Sequence, residues 1–155
     1  MIKDGENKRT ISKHYETLAR ILGKKYIKSG IESPFDFITL ASKGIDAQII
    51  INFRNHFGIS RGRTAELLSV SEPTIYRWVK GEKKLERNYS VQLFELTDLF
   101  LYGSQVFESK ENFFKWLELP NTALGGIQPL DLLDVPGGIS KVHDLLGRIE
   151  HGVYS

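Results

Sequence analysis

Tyr15, Leu18, Ala19, Leu22 and Tyr26 recur at three- and four-residue spacing between Lys and Arg. That period predicts an amphipathic helix from Ser12 to about Lys28, stopped at Ser29-Gly30, with a basic face that suits water or a polyanion. Ser33-Pro34 has the form of an N-cap followed by a first-turn proline. A second, short helix is expected there, burying Phe35, Ile38 and Leu40 and ending near Gly44. Asp46 is expected to cap a third helix in which Ile49, Ile50, Phe53 and Phe57 form a wide apolar face before Gly58 stops it. Residues 1–10 are polar, show no period and read as a loose arm.

Two short helices then follow across a tight turn. Ser60 through Leu68 makes the first, Ser69-Val70-Ser71 the turn, and Glu72 through Lys80 the second, capped by Ser71 and ended by Gly81. A helix-turn-helix needs a small residue where its helices cross, an apolar plug in the turn and apolar anchors on the second helix. Ala65, Val70, Ile75 and Trp78 stand at those places, with Leu68 closing the first helix. Ser69 departs from the glycine common in such turns and has to accept some backbone strain. On this register Glu72, Pro73, Tyr76, Arg77 and Lys80 face outward, toward a major groove. Arg77 has the fork that reads a guanine edge, a contact that contributes about 1–3 kcal/mol of discrimination. Arg61, Arg63, Lys80, Lys83 and Lys84 are placed to meet phosphates. The same geometry also occurs in helical proteins that never touch DNA.

Beyond Arg87-Asn88 the pattern changes. Ser90 to about Gln105 is richly apolar on more than one side (Val91, Leu93, Phe94, Leu96, Leu99, Phe100, Leu101). A helix of that kind is buried on both flanks, as a spine between two halves or as a dimer interface, since two-fold operators call for two-fold proteins. Lys110 to Leu119 is a further amphipathic helix with Phe113, Phe114, Trp116 and Leu117, closed by Pro120. The Gly125-Gly126 pair has neither a preceding strand nor a following Gly-Lys-Ser/Thr, so it reads as a turn and not as a phosphate cradle. Gln128-Pro129-Leu130-Asp131-Leu132-Leu133 makes a helical turn, and Gly137-Gly138 makes a second break. Ile139, Val142, Leu145 and Leu146 then line a last amphipathic helix running into Gly152-Val153-Tyr154-Ser155. Apolar residues at a chain end need a binding place, either this protein's own core or a partner.

Composition narrows the function. At 155 residues with 41% hydrophobic content, nine Phe and two Trp, the chain can build a core. No apolar run of about eighteen residues exists for a membrane span, and the first nine residues lack the apolar segment of a secretory signal, so a cytoplasmic protein with no membrane partner is expected. With no Cys and with four His at unpaired spacings, no metal and no cofactor are expected. Asp131, Asp134 and Asp144, with His143 or His151, come with no nucleophile or oxyanion loop, and no catalytic residue and no enzyme are expected. The net charge of +2 hides an asymmetry: residues 1–87 hold 17 Lys/Arg against 10 Asp/Glu, whereas residues 88–155 hold 4 against 9. A basic half collects phosphate-bearing ligands, and an acidic half is freer to meet a protein.

The helix-turn-helix is followed by Asn121-Thr122-Ala123-Leu124-Gly125-Gly126, then Pro129-Leu130-Asp131-Leu132-Leu133, then the run from Leu145-Leu146-Gly147-Arg148 to Ser155. This ordered set, over about residues 46–155, resembles the Xre/MbcA/ParS antitoxins of bacterial type II toxin-antitoxin systems. The resemblance implies an antitoxin with two tasks. Its C-terminal module would bind a RES-domain toxin, an enzyme that degrades NAD, and occlude that toxin's active site with the tail. Its helix-turn-helix would bind the operon's own promoter. By position Arg148, Glu150, His151, Gly152, Val153, Tyr154 and Ser155 with its carboxylate are the toxin-facing candidates. A pocket that holds NAD needs cations for pyrophosphate and an apolar slot for a ring, and a Tyr beside a carboxylate suits both. Arg148 and Glu150 would fix the tail's direction by charge-assisted hydrogen bonds, and Leu145 and Leu146 would anchor it.

The expectation is an all-α protein in which a helix-turn-helix DNA-binding region precedes a small helical toxin-binding module. Residues 1–45 form the arm and N-terminal helices, 46–88 the helix-turn-helix region, 89–119 connecting and dimerisation helices, and 120–155 the toxin-binding module of a homodimer. The rival reading is an orphan helix-turn-helix regulator whose C-terminus packs on itself.

Overall fold

The computed structural model describes residues 13–28 and 30–152. The arm expected over residues 1–10 and the tail residues Val153, Tyr154 and Ser155 lie outside the described residues. Among the described residues the protein is all-α apart from a two-residue antiparallel ladder and an isolated bridge between Asn121 and Ile127, and it divides into two compact units, at Phe94/Glu95.

The first unit contains α1 (residues 13–22), α2 (Pro34–Ser42), β1 (Ile45–Asp46), α3 (Gln48–Phe57), α4 (Arg61–Leu68), α5 (Glu72–Lys80), β2 (Lys84–Leu85) and the start of α6 (Arg87–Val106). Its core is Leu18, Leu22, Phe37, Ile49, Ile50, Phe53 and Leu93, each fully buried. α1 ends at Leu22 and not near Lys28. Gly23 takes φ +114°, and the Leu22 carbonyl accepts 2.8 Å from Asn52 Nδ2 on α3, so a tertiary bond replaces the next helical one. Ile27, which the period had left out, is buried in the loop that follows.

α2 starts as expected, with Ser33 Oγ accepting from the Asp36 amide and Pro34 in the first turn. Its buried face differs from the expected one. Phe37 and Ala41 are buried, Leu40 is half-buried, and Phe35 and Ile38 are exposed, Phe35 to 77%. Two apolar faces compete on this helix, and the stacking of Phe37 on Phe94, with centroids 3.9 Å apart, decides between them. α3 buries Ile49, Ile50, Phe53 and Phe57 and ends at Gly58 in the left-handed region, as expected. The N-cap is Ala47 and not the expected Asp46, whose Oδ1 nonetheless accepts from the Gln48 amide at 2.8 Å and so serves the first helical N–H.

The ladder pairs Ile45 with Leu85 and Asp46 with Lys84, extended by the Ala47 amide donating to the Lys83 carbonyl at 2.9 Å. It fastens the entry of α3 to the loop leaving α5. Two residues are too few for an alternating pattern, so nothing in the sequence announces it.

The second unit holds the rest of α6, α7 (Lys110–Leu117), 3-10 turns at Thr122–Leu124 and Pro129–Leu132, and α8 (Gly138–Glu150). Leu96, Leu99, Phe100, Phe113, Leu117, Val142 and Leu146 are fully buried. Gly103 lets α7 come close, because the Phe113 ring fills the place of its missing Cβ. Ser109 caps α7, its Oγ accepting from the Asn112 amide at 3.0 Å. Asn121 closes the next loop on itself: its Oδ1 accepts from Ala123, its N–H donates to the Ile127 carbonyl, and its carbonyl accepts from Gly126. Gly125 and Gly126, at φ +69° and +90°, make the turn that the sequence suggested.

Candidate functional site

The helix-turn-helix is built by its caps. Ser60 Oγ accepts from the Arg63 amide at 3.1 Å to start α4, and Ser71 Oγ accepts from the Thr74 amide at 3.2 Å to start α5. Between them Ser69 lies at φ 56°, ψ 40°, the strained left-handed turn expected of it, and the Val70 amide reaches back to the Ala65 carbonyl at 3.1 Å. Ala65, Leu68 and Ile75 are buried and Val70 and Trp78 half-buried. Trp78 rests against Tyr89, with centroids 5.1 Å apart, and Gln92 Nε2 donates to the Leu67 carbonyl at 2.7 Å, which ties the motif to the start of α6.

Glu72, Pro73, Tyr76, Arg77 and Lys80 are all exposed on α5, as are Arg61, Lys83 and Lys84. Arg63 differs, being half-buried and paired with Glu66 at 2.9 Å. Arg77 Nη2 donates to Thr74 Oγ1 at 3.3 Å, and that hydroxyl lies 2.7 Å from Ser71 Oγ, so the guanidinium is held along the first turn of α5. Lys80 Nζ stands 5.7 Å from the centroid of the Tyr76 ring, and Lys83 Nζ stands 5.5 Å from that of Trp78. α3, α4 and α5 enclose an open groove of about 590 Å³, lined by apolar Ile50, Ile51, Ile75 and Val79 and by cationic Arg54, Arg61 and Lys80. Arg54 and Ile51 were missed because α3 reads as a core helix. Their i, i+3 spacing on the side away from Phe53 and Phe57 is the one signal they leave.

In the second unit the last helix is anchored by Val142, Leu145 and Leu146. Leu145 and Leu146 are buried as expected of an anchor, and Arg148, Glu150, His151 and Gly152 are exposed. Gly152 takes φ +73°. The Glu150 carboxylate lies beside Tyr102 of α6 and 3.8 Å from His151 Nε2. Burial, followed by the charge and the hydrogen bond of Glu150, raises the Tyr102 pKa above its ordinary value of 10.0. Tyr102 therefore stays a donor throughout the neutral range. Sequence reading passed over it as one aromatic in an apolar helix. Among the described residues no His, Asp or Glu cluster is placed to hold a metal ion, and no helix is long and apolar enough to cross a membrane.

Two family models match the chain in sequence. The antitoxin Xre-like helix-turn-helix domain covers residues 36–100, and the antitoxin Xre/MbcA/ParS C-terminal toxin-binding domain covers residues 103–152. Antitoxin Xre of Photorhabdus laumondii subsp. laumondii is 23% identical over 117 residues, covering 75% of this chain and 79% of that protein. A Prs ADP-ribosylating antitoxin of a Sphingobium species is 25% identical over 132 residues, covering 79% of this chain and 83% of that protein. A chain of the M. tuberculosis MbcT-MbcA toxin-antitoxin complex has a similar fold, with a TM-score of 0.55 at 20% identity, over 70% of this chain and 96% of that one.

Proposed function

The chain belongs to the Xre/MbcA/ParS-type antitoxins of toxin-antitoxin systems, and from that premise we propose that it neutralises a RES-domain, NAD-consuming toxin with its C-terminal module and binds its own promoter through α4 and α5. The observation that carries the toxin half is the toxin-binding-domain match over residues 103–152, which ends on the exposed last turn of an otherwise anchored α8. Arg148, Glu150, His151 and Gly152, with Val153, Tyr154 and Ser155 beyond, are the residues offered to the toxin. Tyr154 supplies a ring for the slot that a nicotinamide or adenine would fill, and Gly152 turns the backbone into it. Inhibition of this kind is steric occlusion and asks no bond-making of the antitoxin.

The DNA half is supported by the exposed α5 face, which has five candidate groove residues on one side and a guanidinium held in place. In this reading Arg77 contacts a base edge, with Glu72, Pro73 and Tyr76 beside it in the major groove. Arg54, Arg61, Lys80, Lys83 and Lys84 neutralise phosphates, whereas the charge of Arg63 is already met by Glu66, so affinity falls steeply with salt. A homodimer matches a two-fold operator. Because α6 has its Leu93, Leu96, Leu99 and Phe100 side chains fully buried within one chain, a second copy would use other residues. Co-expression with the neighbouring reading frame tests the whole reading. The two proteins should co-purify, NAD turnover by the partner should be suppressed, and the complex or the free antitoxin should retard the promoter duplex. A neighbour that neither co-purifies nor consumes NAD would contradict the toxin half.

A further inference from the structure

The groove of about 590 Å³ between α3, α4 and α5 is lined from the core by buried Ile50 and Ile75 and further out by half-buried Ile51 and Val79. Each of the three helices adds one cation: Arg54 from α3, Arg61 from α4 and Lys80 from α5. Among the described residues no acidic side chain pairs with Arg54 or Arg61. The one acid of the lining, Glu72, reaches toward α4, its Oε1 3.3 Å from where a Cβ at Gly62 would stand. Positions 72 and 80 are about 12 Å apart along the axis of α5, so the acid and the lysine mark opposite ends of that wall.

Duplex DNA accounts for only part of this lining. Phosphates meet the cations, but they gain nothing from four aliphatic side chains. Base edges carry one apolar group, the thymine methyl, and it lies in the major groove. Apolar walls with a few convergent charged groups, in a volume of about 300–1,000 Å³, are the common form of a small-molecule site. A fitting ligand has an apolar body for Ile50, Ile51, Ile75 and Val79 and one anionic group for the cations. Guanidinium forks match a carboxylate, and Glu72 repels it toward the Lys80 end. The only ring in the lining is Tyr76, and the Lys80 ammonium already stands 5.7 Å from its centroid, so the lining favours an aliphatic body over a flat one.

We infer that this groove binds a small aliphatic carboxylate, and that its occupant releases the promoter, because Tyr76 and Lys80 line the groove and also belong to the face of α5 offered to DNA. The release rests on the proposed promoter reading; the binding does not. A ligand that takes only the DNA-free form shifts the equilibrium toward it by its own affinity.

Isothermal titration of the full chain with hexanoate, octanoate and decanoate tests the binding. One molecule should bind per chain, and affinity should rise about fourfold for each added methylene. Decanol, which has the chain without the charge, should bind about tenfold more weakly than decanoate. Ile51→Asp should abolish decanoate binding. Val79→Thr keeps the side-chain volume, which guards against a variant that does not fold, and should weaken binding several-fold. In a labelled-duplex shift assay decanoate should release the wild-type chain from its promoter, and Val79→Thr should need more of it. No saturable binding, equal affinity for decanol, or wild-type affinity in both groove variants would overturn the site. Decanoate and promoter held together on one chain would overturn the release. A chain that takes decanoate but holds no duplex would defeat the promoter reading and leave the site standing.

Discussion

Ser60 and Ser71 start α4 and α5 by accepting an amide from within the first turn, whereas Gly138 starts α8 because the Leu132 carbonyl occupies the place where a Cβ would stand. The first unit's helix-turn-helix is thus assembled from polar caps and one strained turn, and its proposed DNA-reading surface is the outward face of a short helix with Arg77 and Lys80. The second unit has polar caps too, at Ser109 and Asn121, but it also depends on absences of side chain, at Gly103 and Gly138, and its proposed working part is the end of a helix. A cap can be exchanged for another cap at modest cost. A filled void cannot be made larger without moving backbone.

Gly138→Ala should show this difference most strongly. A methyl group against the Leu132 carbonyl has to displace backbone, an overpacking cost of about 3 kcal/mol. Urea unfolding should report that loss, and toxin neutralisation should fall while promoter binding persists. Equal loss of both activities would mean that the two units do not act separately.

Arg77→Ala is the corresponding test in the first unit. Discrimination between promoter and unrelated duplex should drop by about 1–3 kcal/mol in a labelled-duplex shift assay, with toxin inhibition unchanged. No difference from wild type would remove Arg77 from the reading surface.

Ser69→Gly acts on the strained turn. Relief of a left-handed serine is worth about 1–2 kcal/mol, offset by about 0.4–1 kcal/mol from the freer unfolded chain, so thermal unfolding should show a net gain of several tenths of a kcal/mol.

The smallest effect is at Glu95 on α6, where burial first and the Asp98 charge second raise the carboxyl pKa above 4.5. A raised carboxyl pKa means that the protonated form suits the fold. The stabilisation is complete below the unfolded pKa and is lost as pH rises through the higher folded one. Glu95→Gln should therefore stabilise at neutral pH, by only about 0.3 kcal/mol because the side chain is still partly exposed to solvent, and the gain should vanish below about pH 4.5.

The same contrast explains what the sequence could tell. Ser33, Ser60 and Ser71 with their following helices, and the stops at Gly58 and Gly81, were legible because a cap is a residue type at a fixed offset from an apolar period. The outward set on α5 followed from that register. Ile49, Ile50, Phe53 and Phe57 were legible as one wide face. α2 was misread because Phe35 and Ile38 offer a face as apolar as that of Phe37 and Ala41, and the choice is made by Phe94, far along the chain. α1 was drawn too long because its stop depends on Asn52 taking the Leu22 carbonyl. Arg54 was missed because it sits in a helix whose period announces core, and only tertiary packing brings it to the edge of the groove. The module after Pro120 has weak periodicity, and its family resemblance, carried by ordered short motifs, said more than its physics.

The central claim is that this antitoxin silences its toxin with the segment beyond α8. The direct measurement is NAD turnover by the purified toxin, titrated with the full chain and with a chain ending at Gly152. The full chain should abolish turnover near stoichiometric ratio. The shortened chain, which keeps Leu145, Leu146 and the rest of α8, should still bind the toxin and leave turnover largely intact. Complete inhibition by the shortened chain at the same ratio would contradict the claim.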